Sequence, residues 1–173
     1  SRRRVTVSSS GIVPALTRMS DKVPVSLAIS LHAPNDELRD ILVPINKKYP
    51  IKELMKACHY YLNAGIQQRH ILFEYVMLDG VNDSLEDARL LSKLLNFWFE
   101  RESAKVNLIP FNPFPESQYK TSKNNTIDKF QDILHQSGIR TTTRRTRGND
   151  VDAACGQLVG KVLDKSRRNV GRN

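Results

Sequence analysis

Along the chain, short runs rich in β-branched and apolar residues alternate with segments whose apolar positions recur every three or four residues. Residues 5–10 read as a strand, and Gly11 with Pro14 opens a short helix through Met19. Residues 25–31 form an apolar, strand-like run, after which Asn35 is placed to cap a helix running to about Ile41. Over 51–63 the side chains of Ile51, Leu54, Met55, Cys58 and Leu62 fall at helical spacing, and Gly65 stops the pattern. Residues 70–77 are the next strand. Ser84, with Asp87 three residues on, predicts a capped helix start, and Leu90, Leu91, Leu94, Leu95 and Trp98 form that helix's apolar stripe. Residues 105–109 are strand-like and end at Pro110. Ile127, Phe130, Ile133 and Leu134 mark a helix over 126–135 with Gly138 as its stop. The last strand spans 139–146, and 151–163 reads as helical.

Strands that are each followed by helical sequence must pair in parallel through crossovers. The expected fold class is therefore α/β, a sheet or part of a (β/α) barrel with about five parallel strands. Such folds gather functional groups at the carboxyl ends of their strands. There the sequence offers Ser8, Ser9 and Ser10, the segment Ser30-Leu31-His32, residues 79–83, Asn112 and residues 148–155. The chain opens directly on a strand, and five strands do not close an eight-stranded cylinder. A piece of a longer barrel over 1–163 is therefore expected, followed by a flexible basic tail over 164–173.

Composition narrows the function classes. With 39% apolar and 26% charged residues, the chain has too much core material for a disordered protein. It contains no run of 18 apolar residues that would span a membrane, and its start lacks the apolar stretch of a secretory signal. Cys58 and Cys155 are its only cysteines, with no CxxC or HExxH spacing, which suits a reducing, cytoplasmic setting. No Ser-His-Asp order, paired-carboxylate site or phosphate-binding glycine pattern supports a hydrolase or a kinase. Charge points elsewhere. Lys and Arg number 27 against 18 Asp and Glu, a net +9, and the excess clusters at 2–4, 140–147 and 161–172. Clustered cations make a local field that attracts nucleic-acid phosphates. In the middle cluster, Arg145 and Arg147 share one face of the expected strand beside Arg144. A solvated surface and a frayed tail remain the plainer reading of the two ends.

Several residues offer chemistry. Cys155 follows the basic strand and precedes helical sequence, where guanidinium groups and a helix start favour thiolate; packing between alanines is the alternative. Cys58 lies on an apolar helix stripe and reads as core. His32 stands at a strand end, open to ligand contact or to loop capping. Serines after a strand suit a small polar ligand and equally an ordinary turn. Asn112 offers donor and acceptor to an adenine edge, yet Asn-Pro also starts turns. Glu74 sits mid-strand with its face undecided. His59, His70 and His135 show no metal spacing and read as structural or surface residues.

Six blocks carry a resemblance. They are Val5-Thr-Val-Ser-Ser-Ser-Gly11, Ala28-Ile-Ser-Leu-His-Ala-Pro-Asn-Asp36, Val43-Pro-Ile-Asn-Lys47, Glu74-Tyr-Val-Met-Leu-Asp79, Asn107-Leu-Ile-Pro-Phe-Asn-Pro-Phe-Pro115 and Arg147-Gly-Asn-Asp-Val-Asp-Ala-Ala-Cys-Gly-Gln-Leu158. In order over about 5–162, they resemble the carboxyl-terminal half of the RlmN/Cfr family of radical S-adenosylmethionine RNA adenine methyltransferases. The resemblance implies a partial (β/α) barrel with S-adenosylmethionine across the strand ends, contacted by Ser8, Ser30, Leu31, His32 and Asn112. It implies Cys155 as the methyl-carrying cysteine. It also implies a radical mechanism in which the S-methyl carbon of Cys155 is delivered to carbon 2 of an adenine in ribosomal RNA and transfer RNA. A second cysteine then resolves the protein–RNA bond through a disulfide.

The family's CxxxCxxC motif, whose thiolates hold a 4Fe-4S cluster, is absent from this sequence, as are the resolving cysteine, the general base and the amino-terminal RNA-binding region. The cluster ligands are therefore expected outside this chain, and the polypeptide alone is expected to lack radical activity. The expected partners are RNA and an external electron donor, with no membrane, and the expected state is a monomer. A non-catalytic RNA-binding α/β module, or a metabolic barrel enzyme for a small anion, would share the basic clusters and the strand-end serines.

Overall fold

The computed structural model describes residues 5–20, 22, 25–64 and 70–144. Among these residues are five strands, β1 (Thr6–Ser9), β2 (Ser26–Ser30), β3 (Ile71–Met77), β4 (Ala104–Pro110) and β5 (Arg140–Thr143), and between them five helices, α1 (Val13–Ser20), α2 (Asp36–Leu42), α3 (Ile51–Asn63), α4 (Leu85–Trp98) and α5 (Asn124–Gln136), with both α2 and α3 between β2 and β3. All strand pairs are parallel and the spatial order is β1-β2-β3-β4-β5, each strand beside its sequence neighbour. This singly wound order is that of a barrel segment, whereas a doubly wound sheet reverses direction partway.

Local chemistry sets most boundaries. The Asn35 side chain accepts from Leu38 N–H at 2.9 Å to start α2. Ser84 and Asp87 form a reciprocal capping box at α4, worth about 1 kcal/mol. The helix predicted at Ile51–Asn63 has those bounds, and its Ile51, Leu54, Met55 and Cys58 are buried. β5 is shorter than the 139–146 expected: Arg144 N–H still bonds Leu108 O at 2.8 Å, but residues from 145 on lie outside the described part. The helix expected over 151–163 and the tail over 164–173 lie there too. A 3₁₀ turn at Pro44–Lys47 was not anticipated, because four residues are too few to show a period.

The core lies between the helices and one face of the sheet. Leu27 and Ile29 of β2, Ile71, Phe73, Tyr75 and Met77 of β3, and Val106 and Leu108 of β4 are all at most 1% exposed. They pack against Leu54, Met55, Leu91, Leu95 and Phe130 from the helices, each such burial stabilising by about 2 kcal/mol. Tilted ring pairs, Phe73 with Phe99 at 5.4 Å and Tyr75 with Phe130 at 5.3 Å, stitch β3 to the layer above. Cys58 is wholly buried in this core, as its place on the stripe predicted.

Candidate functional site

Because side chains alternate along a strand, the residues between those core positions project from the opposite face of the sheet, away from that core. The register lines them up in rows. Ser8, Ala28, Leu72, Lys105 and Arg140 are partners across all five strands, and one level nearer the carboxyl ends come Ser30, Glu74, Asn107 and Thr142. This second row is polar throughout. Ser30 Oγ donates to Glu74 Oε2 at 3.5 Å, and Thr142 Oγ1 donates to Asn107 Oδ1 at 3.1 Å. Glu74, undecided from sequence, thus belongs to the open polar face. Asn107 and Thr142 were not singled out from sequence as candidates, since only the register shows that they continue the row.

At the carboxyl edge, the segment Ser30-Leu31-His32 is gripped by two buried side chains. Arg39 of α2, with no exposed surface, donates from Nε to Leu31 O at 3.0 Å and from a terminal nitrogen to Ser10 O at 2.8 Å and Ser30 O at 3.1 Å. Its other terminal nitrogen donates to Asn46 Oδ1 at 2.8 Å, and Asn46 Nδ2 donates in turn to Asp36 Oδ1 at 2.9 Å and Asp40 Oδ1 at 2.7 Å. From the other side, Asn82 Nδ2 donates to His32 O at 2.9 Å. Arg39 was not picked out from sequence, and Asn82 entered only as part of the strand-end segment 79–83. A buried arginine on a short helix leaves no periodic signal, and Asn82 sits in a loop of turn-forming residues.

The predicted site residues fall as follows. Ser8 is exposed on β1, Ser30 and His32 are half-buried, and Asn112 is exposed just past β4. The Leu31 side chain is buried in the core, its N–H donates to Glu74 O at 3.0 Å and its carbonyl takes Arg39, so its part in any site is to hold the backbone between Ser30 and His32. Arg144 is exposed beyond β5 and borders a cleft with Asn124, Asp128, Gln131 and Thr142. Arg145, Arg147 and Cys155 lie outside the described residues.

Electrostatics favour a neutral His32. Burial first, and the Arg39 guanidinium second, lower its pKa from 6.5 to about 4. Its Nδ1 lies 3.2 Å from Val76 N–H and accepts that proton, which leaves the imidazole hydrogen on Nε2. Burial also lowers Arg39, to about 10, against the opposing pull of Asp36, so it stays a cation at neutral pH. The Cys58 thiol is pushed up to about 12 by burial and is no nucleophile. His59, His70 and His135 contact Trp98 O, Lys105 Nζ and Thr141 O respectively, in keeping with structural or surface roles.

These donor sets test the implied cofactors. An iron–sulfur cluster needs several thiolates. Among the described residues no three or more His, Cys, Asp or Glu side chains are grouped to hold a metal, and the cysteine present is sealed in hydrocarbon, so this part of the chain does not fit a cluster. S-adenosylmethionine needs neutral donors and acceptors around an open edge, and Ser8, Ser30, His32 and Asn112 fit that requirement. Among the described residues no helix is long and apolar enough to cross a membrane.

Comparison with known proteins identifies the family. The chain is 66% identical over 168 residues to the dual-specificity RNA methyltransferase RlmN of Vesicomyosocius okutanii, covering 97% of this chain and 46% of that protein. It is 63% identical over 172 residues to the RlmN of Ruthia magnifica, covering 99% of this chain and 47% of that protein. The chain therefore spans about half the length of these relatives. The crystal structure of a radical SAM methyltransferase from Sphaerobacter thermophilus superposes with a TM-score of 0.82 at 46% identity, over 90% of this chain and 44% of that one. A domain of a pyruvate-formate lyase-activating enzyme from Bacteroides vulgatus, 14% identical with a TM-score of 0.62 over 81% of this chain and 80% of that one, shares the fold alone. The model of the radical SAM superfamily matches residues 1–91, more than half of the sequence, and the chain belongs to that superfamily.

Proposed function

We propose that this chain is the carboxyl-terminal part of an RNA methyltransferase that methylates carbon 2 of adenine in ribosomal RNA and transfer RNA. The observation that carries the reading is the 66% identity to an RlmN over 97% of the chain. S-adenosylmethionine, when bound, supplies the methyl group and the means of attacking a carbon that is not nucleophilic enough for ordinary transfer. The chain's own residues bind and orient it. Ser8, Ser30, the Nε2–H of His32 and the Asn112 carboxamide supply hydrogen bonds, and Arg39 holds the main chain that carries Ser30 and Leu31. Glu74 accepts from the Ser30 hydroxyl and so fixes its lone pairs toward the open face. Cys155 is the methyl carrier, and Arg144, Arg145 and Arg147 hold RNA phosphates.

On this reading the thiolates of the 4Fe-4S cluster and the docking site of an external electron donor lie outside this chain. Its two cysteines cannot supply three cluster ligands and a carrier. The protein is a cytoplasmic monomer whose barrel portion here is 1–163, with a basic tail over 164–173. The test uses the full-length protein with its cluster assembled, incubated with ribosomal RNA and S-adenosylmethionine. Formation of 2-methyladenosine, together with a mass increment of one methylene on the Cys155 peptide that Cys155→Ala abolishes, supports the reading. RNA binding without modification of either base or cysteine would replace it with a non-catalytic RNA-binding module.

A further inference from the structure

Asn82 lies in the loop after β3, outside the residues assigned above to ligand contact, and it has no exposed surface. Its carboxamide makes three main-chain hydrogen bonds. Oδ1 accepts from Leu78 N–H at 2.8 Å, and Nδ2 donates to Val76 O at 2.7 Å and, fifty residues back in sequence, to His32 O at 2.9 Å. Its own carbonyl is pinned from the core by the Tyr75 hydroxyl at 2.7 Å. The residue it reaches is unusual. His32 has φ +60°, the left-handed region that a side chain disfavours and that persists only where surrounding bonds over-determine it. The other bonds to His32 are longer: its N–H lies 3.4 Å from Glu74 O, and its Nδ1 lies 3.2 Å from Val76 N.

We propose that Asn82 is a positioning residue for S-adenosylmethionine, holding the His32 carbonyl so that the backbone of the segment Ser30-Leu31-His32 keeps the turn that presents it at the open edge. The proposal rests on the reading that this edge binds S-adenosylmethionine. Asn82 touches no ligand; it acts through His32. Of the bonds that fix His32 it is the shortest, and it ties the ends of β2 and β3 together across the site.

The test compares the full-length, cluster-loaded enzyme with its Asn82→Ala, Asn82→Asp, His32→Gly and Asn82→Ala/His32→Gly variants. S-adenosylmethionine affinity is read by titration calorimetry, alongside the thermal midpoint and the split of KM and kcat. Asn82→Asp keeps the volume and the acceptor for Leu78 N–H while losing both donors, so it serves if the alanine variant fails to fold. The expected result is an affinity loss of about tenfold in the folded Asn82 variants, carried by KM. The Asn82→Ala and His32→Gly losses combine to less than their product, because Asn82 acts through His32, whose turn and ligand contact His32→Gly removes together. A lowered thermal midpoint with unchanged affinity, or losses that multiply independently, would overturn the proposal alone. Failure of the unsubstituted enzyme to bind S-adenosylmethionine would overturn the reading of the edge and the proposal with it.

Discussion

Arg39 and Asn46 meet at 2.8 Å in a site that is closed to solvent, and through the Asn46 carboxamide the guanidinium is linked to the carboxylates of Asp36 and Asp40 without touching either. Three more of its N–H donors go to strand-end carbonyls, of Ser10, Ser30 and Leu31. A buried charge is tolerated where it is well hydrogen-bonded and the counter-charge lies close by. Here that arrangement fixes the spacing of the β1 and β2 ends, where Ser8 and Ser30 stand.

Removing this cation is expected to be the most damaging single change near the site. Arg39→Met leaves those carbonyls and the Asn46 oxygen without their donor and should lower unfolding free energy by about 3–5 kcal/mol in urea titrations. Asn46→Ala, which loses a neutral relay, should cost about 1–3 kcal/mol. Arg39→Lys should not restore stability, since an ammonium cannot match the planar fork. A lysine variant as stable as the parent would show that charge alone is what matters.

Gly11 has φ +106°, and a Cβ there would stand 3.2 Å from a Leu54 methyl and 3.3 Å from the Arg39 guanidinium. Gly11→Ala therefore combines backbone strain with a push against the same cation. We expect a loss of about 1–3 kcal/mol, visible as a lower thermal midpoint, and unaltered stability would contradict the tight packing.

His32 makes stability depend on pH in a defined window. Its pKa falls from 6.5 in the unfolded chain to about 4 in the fold, so between these values the unfolded state binds a proton that the folded state refuses. Stability from this group is complete above about pH 6.5, drains away as pH falls to about 4, and changes no further below that. Moving from pH 7 to pH 5 should cost about 1–2 kcal/mol more in the parent than in His32→Gln. Parallel urea midpoints for the two proteins across this range would show that the imidazole is free to protonate in the fold.

Alkylation separates the two cysteines. Cys58 is wholly buried with its thiol pushed up to about 12, so it carries almost no thiolate at neutral pH. Peptide mapping after iodoacetamide treatment should find Cys58 unmodified in the folded protein and fully modified in concentrated guanidinium. Rapid labelling without denaturant would mean that the α3 stripe opens.

What the order of residues settled by itself was whatever depends on near neighbours. The Ile51–Asn63 helix, the Asn35 cap, the Ser84–Asp87 box and the burial of Cys58 follow from bonds and periodicities that span a few residues. Strand–helix alternation likewise announced a parallel α/β sheet, and the strand ends announced the place of Ser8, Ser30, His32 and Asn112. The tertiary structure decided the rest. It turned Glu74 onto the face opposite the core, built the row from Ser30 to Thr142, buried Arg39 beneath two strands and ran Asn82 to His32. Those arrangements join groups far apart in the chain, and their partners are main-chain carbonyls, which every residue carries alike. Only folding brings such a carbonyl within reach of a particular side chain, so no local pattern marks it in advance.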